Sequence, residues 1–349
     1  MTMSMATPAA AATITATTMV TITIIITTIT STIMASRAMS TARIASTEMA
    51  EKPGKDAAKP VKNEAQSSAA SDPTPGSGLS RKERQQVRDS TRPRPAVVYE
   101  IIRAQGEAEL RRPVSALWWS GIAAGISIGF SFLTEAALAA HLPASDWSPI
   151  VAKLGYAVGF LIVILGHQQL FTENVLTAVL PVMARKQVHW LNKMLRLWGI
   201  VLAANIAGCL IFALAAAFLP IIPADVVPAL ANIVNNVMSN TPWEMFAKGI
   251  GAGWLIAAVV WILASTEGVD FLVITLLTYL IALFGFTHIV AGSVEALYGV
   301  VTGLIGLDTA VFRFFLPTLA GNVFGGTVLF SVLSYAQVRE EIYANHSDN

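Results

Sequence analysis

Residues 285–292 read Gly285-Phe286-Thr287-His288-Ile289-Val290-Ala291-Gly292, inside an apolar run extending from about 271 to 304. A helix rises 1.5 Å per residue and about 20 residues cross the hydrocarbon of a bilayer, so this run is too long for one plain crossing. A glycine at each end and the polar pair Thr287-His288 between them mark a break. The run from about 151 to 183 is interrupted in the same way by Gly166-His167-Gln168-Gln169-Leu170-Phe171-Thr172-Glu173-Asn174. Broken helices free backbone N–H and C=O groups that lipid cannot satisfy, and they are tolerated only inside protein or along a watery cavity. A pair of breaks therefore points to a pathway.

Working outward, uninterrupted apolar runs lie at about 115–140, 190–219, 243–265 and 310–337, giving six crossings with helices two and five broken. The halves match each other. Gly121-Ile-Ala-Ala-Gly125 in helix one pairs with Gly249-Ile-Gly-Ala-Gly253 in helix four. Leu202-Ala-Ala-Asn-Ile-Ala-Gly208 in helix three pairs with Leu319-Ala-Gly-Asn-Val-Phe-Gly325 in helix six, and Gly166 and Gly285 stand near the two breaks. Three helices per half is an odd number, so the halves insert with opposite topology. That is the inverted-repeat plan of transport proteins, with a site near the midplane. The expected fold is an all-α membrane protein: six transmembrane helices in two inverted three-helix repeats. The small residues of helices one, three, four and six fit close helix approach.

Composition agrees. The 349-residue chain is 54% hydrophobic and 13% charged, with mean hydropathy +0.60, against about 25% charged residues in soluble domains. A net charge of +1 argues against nucleic acid as a partner, and the single cysteine, Cys209, rules out a disulfide framework. Residues 1–50 carry no charge before Arg37, and their apolar stretch from Met19 to Ile29 is too short to span. They read as a disordered extension, or as an over-extended start ahead of Met49. Residues 51–112, with Arg81-Lys-Glu-Arg-Gln-Gln-Val-Arg88, read as a flexible tail ending in a short amphipathic helix near 98–112. The expected division is thus 1–112 as extension and tail, 113–338 as the pore domain, and 339–349 as a C-terminal tail. Arg103, Arg111, Arg112, Arg185, Lys186, Lys193, Arg196 and Arg339 place both termini in the cytoplasm by the positive-inside rule.

Leu170-Phe171-Thr172 at the first break, Phe286-Thr-His-Ile-Val-Ala291 at the second, and the segments bearing Asn205 and Asn322 together resemble the formate/nitrite transporter family over about 115–338. The resemblance implies an aquaporin-like protomer in a homopentamer, each protomer with its own pore, in a bacterial inner membrane. It implies passive or proton-linked passage of formate, nitrite or a similar small monovalent anion. It implies a central pore histidine, here His288, between two apolar constrictions, one bordered by Leu170, Phe171 and Thr172. Two positions depart from the pattern: Thr287 stands where members carry Glu, and Gly292 where many carry Asn. The family's vestibule lysine before helix four has no match in Asn235–Asn240.

An ionisable side chain inside a membrane helix is costly and faces a cavity or a partner, and a histidine changes charge near neutrality. His288 is therefore the leading pathway residue, with a structural histidine bonded to a carbonyl as the other reading. Full charge cannot cross an apolar constriction, so a proton from His288, or from water beside it, would let a weak acid cross neutral. Thr172 is read as a donor to the anion or to His288, and equally as a cap of the half-helix that follows. Thr287 flanks His288 in the same pathway. Asn205 and Asn322 either satisfy the freed backbone or face the anion, and the first is preferred. Glu135 and Glu295 are read as lying near helix ends or protomer contacts, and Glu173 is without an account. His167 is a second proton-handling candidate. Trp118, Trp119, Trp147, Trp190, Trp198 and Trp243 read as the interfacial aromatic belt.

Three other functions are weighed. A neutral-solute pore for water or polyols would call for Asn-Pro-Ala signatures, whereas Ile and Val follow Asn205 and Asn322. A membrane-embedded metal enzyme would draw on His167, Glu173 and His288, but no His-x-x-x-His or Glu-x-x-His spacing supports it. A scaffold with the tail as binding module is the third. No cofactor, metal or catalytic nucleophile is expected.

Overall fold

The computed structural model describes residues 93–338, and the expectations for residues 1–92 and 339–349 lie outside the described residues. Every described element is helical. In chain order these are α1 (Pro95–Glu109), α2 (Val114–His141), α3 (Ser148–Leu165), α4 (Phe171–Thr177), α5 (Val179–Arg185), α6 (Val188–Phe218), α7 (Val227–Met238), α8 (Pro242–Leu263), α9 (Asp270–Leu283), α10 (Ile289–Val301) and α11 (Thr309–Val338). Five of them, α2, α3, α6, α8 and α11, are long and apolar enough to cross a membrane.

Local chemistry sets the ends. Leu142 and Leu219 are extended because Pro143 and Pro220 follow, which stops α2 and α6. Thr241 opens α8 with a reciprocal capping box: its hydroxyl accepts from the Glu244 N–H, and the Glu244 carboxylate accepts from the Thr241 N–H. α11 is wound as a π-helix over Thr309–Phe315 and Phe324–Ser331.

Both breaks are built alike. At the first, the N–H groups of Gly166, His167 and Gln168 donate to the carbonyls of Ile162, Ile164 and Val163. At the second, Phe284, Gly285 and Phe286 donate to Leu280, Ala282 and Ile281. The register therefore pairs His167, not Gly166, with Gly285, and these two residues carry the left-handed backbone, at φ 50° and φ 61°. A non-glycine residue there costs about 1–2 kcal/mol, so the first break is the more strained of the two.

Small residues bring the helices together in matched pairs. A Cβ on Gly125 would lie 2.1 Å from the Asn205 carbonyl oxygen, and one on Gly253 would lie 2.3 Å from that of Asn322. Only glycine permits either approach.

α1 occupies the place foreseen for a short amphipathic helix. It buries Val98, Tyr99 and Ile102 against Leu176, Leu180 and Val338. Glu107 anchors it, accepting from Arg103 at 2.5 Å and from Arg185 at 3.0 Å. The Arg185 guanidinium holds the Glu107 carboxyl below the usual carboxylate range. A depressed carboxyl stabilises above its unfolded value of about 4.3, and that contribution is lost as pH falls through the folded value. Amide exchange in α1 should therefore accelerate below about pH 4, and the Arg185→Gln variant should exchange faster already at neutral pH. Equal exchange in both proteins at pH 7 would remove this anchor from the account.

α7 was not foreseen. It is a short helix between the halves that buries Leu230, Val234 and Met238.

Candidate functional site

The half-helices α4 and α10 begin at the breaks, and their first turns meet. His288, the N-cap of α10, is 1% exposed. Its Nδ1 accepts from the Ala291 N–H at 3.2 Å, and its Nε2 lies 2.7 Å from the Thr172 Oγ1. A backbone N–H can only donate, so Nδ1 carries no proton and the ring is the neutral Nε2–H tautomer. Nε2–H then donates to Thr172, and the Thr172 hydroxyl keeps its own proton for another acceptor. The chain of donors runs from Ala291 through His288 to Thr172 and ends in a free O–H.

Asn205 and Asn322 hold the breaks open. The Asn205 Oδ1 accepts from the Phe171 N–H at 2.9 Å, and its Nδ2 donates to the carbonyls of Gln169 and Gly121 at 2.8 and 2.9 Å. The Asn322 Oδ1 accepts from the Ile289 N–H at 2.8 Å, and its Nδ2 donates to Thr287 and Gly249 at 2.8 and 2.9 Å. Both residues are fully buried. Each amide is spent on backbone, so neither is left to meet a permeating solute.

Two cavities flank the centre. The larger, about 600 Å³, is lined by Gln105, Arg112, His167, Gln169, Glu173 and Asp270 among others. The smaller, about 60 Å³, is lined by Glu135, Lys153, Thr287, His288, Gly292 and Glu295 among others. Leu170, Phe171 and Thr172 are all buried, between Gln169 and Glu173 of the larger cavity's lining.

Of the residues singled out in the sequence, Thr172 and His288 come together. Leu170 caps α4 at the position where His288 caps α10, so the two sides of the centre are chemically unlike. Phe171 turns away, packing edge-on against Trp198 at 5.9 Å between ring centres. The aromatic ring on His288 is that of Phe160, edge-on at 5.0 Å, which the sequence reading missed. Thr287 is occupied, its hydroxyl donating to the Met245 carbonyl at 2.7 Å. At Gly292 a Cβ would sit 2.6 Å from the Phe314 ring, so that ring fills the space a side chain would take.

Glu135 and Glu295 correct the expectation of helix ends or protomer contacts. Both are buried, and both line the smaller cavity with Lys153, whose Nζ lies 2.5 Å from the Glu135 Oε1. A lysine at the head of an apolar run was the available signal for this pair. Trp190 and Trp198 are also more enclosed than a belt requires. Arg185 and Lys193 lie over the Trp190 ring, and the Trp198 Nε1 donates to the Asn174 carbonyl. His167 lines the larger cavity. Among the described residues no three His, Cys, Asp or Glu side chains gather as a metal site.

Helices broken at matched places, with cavities on either side of a buried polar centre, define an integral membrane protein of the transport class. Residues 96–336 match the formate/nitrite transporter family, and the chain belongs to it. The family is one of transporters and channels, not enzymes. The chain is 46% identical to the inner membrane protein YfdC of Escherichia coli (strain K12), over 71% of this chain and 80% of that one. Among solved structures, an FNT family ion channel superposes with a TM-score of 0.56 at 21% identity, covering 70% of this chain and 96% of that one. A pentameric formate channel with formate bound gives 0.55 at 19% identity, covering 65% and 97%. These likenesses show the fold.

Proposed function

We propose that the protein conducts a small monovalent anion of a weak acid, such as formate or nitrite, which crosses the centre as the neutral acid. The observation that carries this is the donor chain ending at the Thr172 hydroxyl. A buried centre that offers protons and no free acceptor suits an anion, and the N-terminal end of α10 adds positive potential. Leu170 and Phe160 supply the apolar surface that makes full charge costly to carry through. His288, Thr172 and Leu170 are the pathway residues; Thr287, Asn205 and Asn322 hold its walls.

The similarity to a solved pentameric formate channel with formate bound supports a homopentamer here, each protomer containing its own pathway. The inner-membrane location of YfdC supports the plasma membrane for this chain. The basic residues around Arg185 and Arg112 support a cytoplasmic face for the larger cavity and cytoplasmic termini. Residues 113–338 form the pore domain, with α1 packed against it.

Uptake of formate, nitrite, lactate and chloride into liposomes holding the purified protein tests the reading. Formate and nitrite uptake should rise as the external pH is lowered from neutrality, and chloride should be excluded because it has no neutral acid at these pH values. Rates equal to those of empty liposomes for every anion would sink it.

A further inference from the structure

His288 cannot itself be the proton source. Its Nδ1 already accepts from Ala291, so giving up the Nε2 proton would leave an imidazolate. The smaller cavity holds the alternative. His288, Gly292 and Glu295 fall at i, i+4 and i+7 of α10, one stripe of the helix, and all three line that cavity. Glu295 is about 10 Å along the helix from His288. Gly292, between them, carries the Phe314 ring against its backbone, and that ring lines the same cavity.

Glu295 is 5% exposed, and among the described residues its carboxyl has no hydrogen-bond partner. The groups facing it are Glu135 from α2 and Lys153 and Tyr156 from α3. Tyr298, on its own helix, packs edge-on against Phe132. Cys209 from α6 is directed at the Val290 carbonyl. Lys248 and Arg313 both donate to Asn240, which lines the cavity. Lys153 is committed to Glu135 at 2.5 Å, and its side chain is 37% exposed. Two buried carboxyls and one ammonium leave the cavity one positive charge short, and an uncompensated buried charge is expensive.

We propose that Glu135, Lys153 and Glu295 form a proton-binding site that loads the permeating anion, with Glu295 as the donor. This rests on the anion-conducting reading above. The Glu295 O–H bond breaks as the proton moves, directly or through water in the cavity, to the anion oxygen held near His288. Carboxylic acid and anion become carboxylate and neutral acid. With Lys153 paired to Glu135, the new carboxylate leaves the cavity one positive charge short, and that deficit draws in a proton from the aqueous side to reload the site. A cavity of about 60 Å³ has room for the water such a transfer needs.

Two measurements on the full chain test this. Infrared spectra of the wild type at neutral pH should show a protonated carboxyl that disappears in Glu295→Gln and persists in the Glu267→Gln control. In liposomes, Glu295→Gln should lower formate uptake about 100-fold and flatten its rise at acid pH, while Glu295→Asp restores part of both. An infrared band unchanged by Glu295→Gln, or formate uptake in that variant with the wild-type rate and pH profile, would overturn the proposal. Absence of wild-type uptake would instead sink the anion reading, with the infrared result still reporting on the site.

Discussion

Asn322→Leu should destabilise the folded protein by about 2–6 kcal/mol, the largest single-residue effect expected outside the transport measurements. The change is close to isosteric, so packing is a minor part of it. Leucine strands the Ile289 N–H and the Thr287 carbonyl, both bonded at 2.8 Å to the asparagine and both buried in a helix break with no intrahelical partner. Each buried group left unpaired costs about 1–3 kcal/mol, a large share of a stability of about 5–15 kcal/mol for a domain. Asn205→Leu should behave alike, because Phe171 and Gln169 depend on it in the same way. Asn322→Asp keeps the acceptor for Ile289 and loses both donors, so it should fall between leucine and wild type. Denaturant or thermal unfolding in detergent measures all three, and a wild-type midpoint for Asn322→Leu would refute the role assigned to these amides.

His288→Phe should slow anion uptake by about 10- to 150-fold with the fold preserved. Phenylalanine fits beside Phe160, where the histidine ring already packs edge-on, so the site remains filled. What is lost is the Nε2–H that orients Thr172, together with the Nδ1 acceptor for Ala291. A hydrogen bond serving a charged group is worth about 1.5–3 kcal/mol, and 1.4 kcal/mol is a factor of about ten in rate. Thr172→Val removes the terminal O–H while leaving the ring, and should slow uptake to a similar degree. Initial rates of formate uptake, normalised to protein reconstituted and checked by size-exclusion chromatography, distinguish the cases. Wild-type rates in both variants would mean the anion does not meet this pair.

The long apolar helices, the two breaks and the paired asparagines were legible in the sequence because each answers a constraint that acts along the chain. Hydrocarbon thickness sets run length, and a broken helix must have its backbone groups satisfied, so an amide recurs at Asn205 and Asn322 in step with the breaks. His288 was legible for the same reason, as an ionisable group with about 17 apolar-rich residues before it. Which side chains meet was not legible. Spacing places Phe171 beside Thr172, but the rotation of α4 sends Phe171 to Trp198 and leaves Thr172 to His288, 116 residues away. The alignment of the halves also differs from the glycine match, since His167 and Gly285 take the left-handed turn.

By itself, then, the sequence determined an all-helical membrane protein with a polar centre at two matched breaks. The bilayer and the backbone impose those features residue by residue. Only the tertiary structure decided that His288 is a donor with its second nitrogen engaged, that Phe160 is the ring against it, and that Glu135, Lys153 and Glu295 share one cavity. These depend on how α2, α3 and α10 are turned about their own axes. That rotation is set by close approaches such as Gly125 on Asn205, and helix packing of this kind is decided in three dimensions.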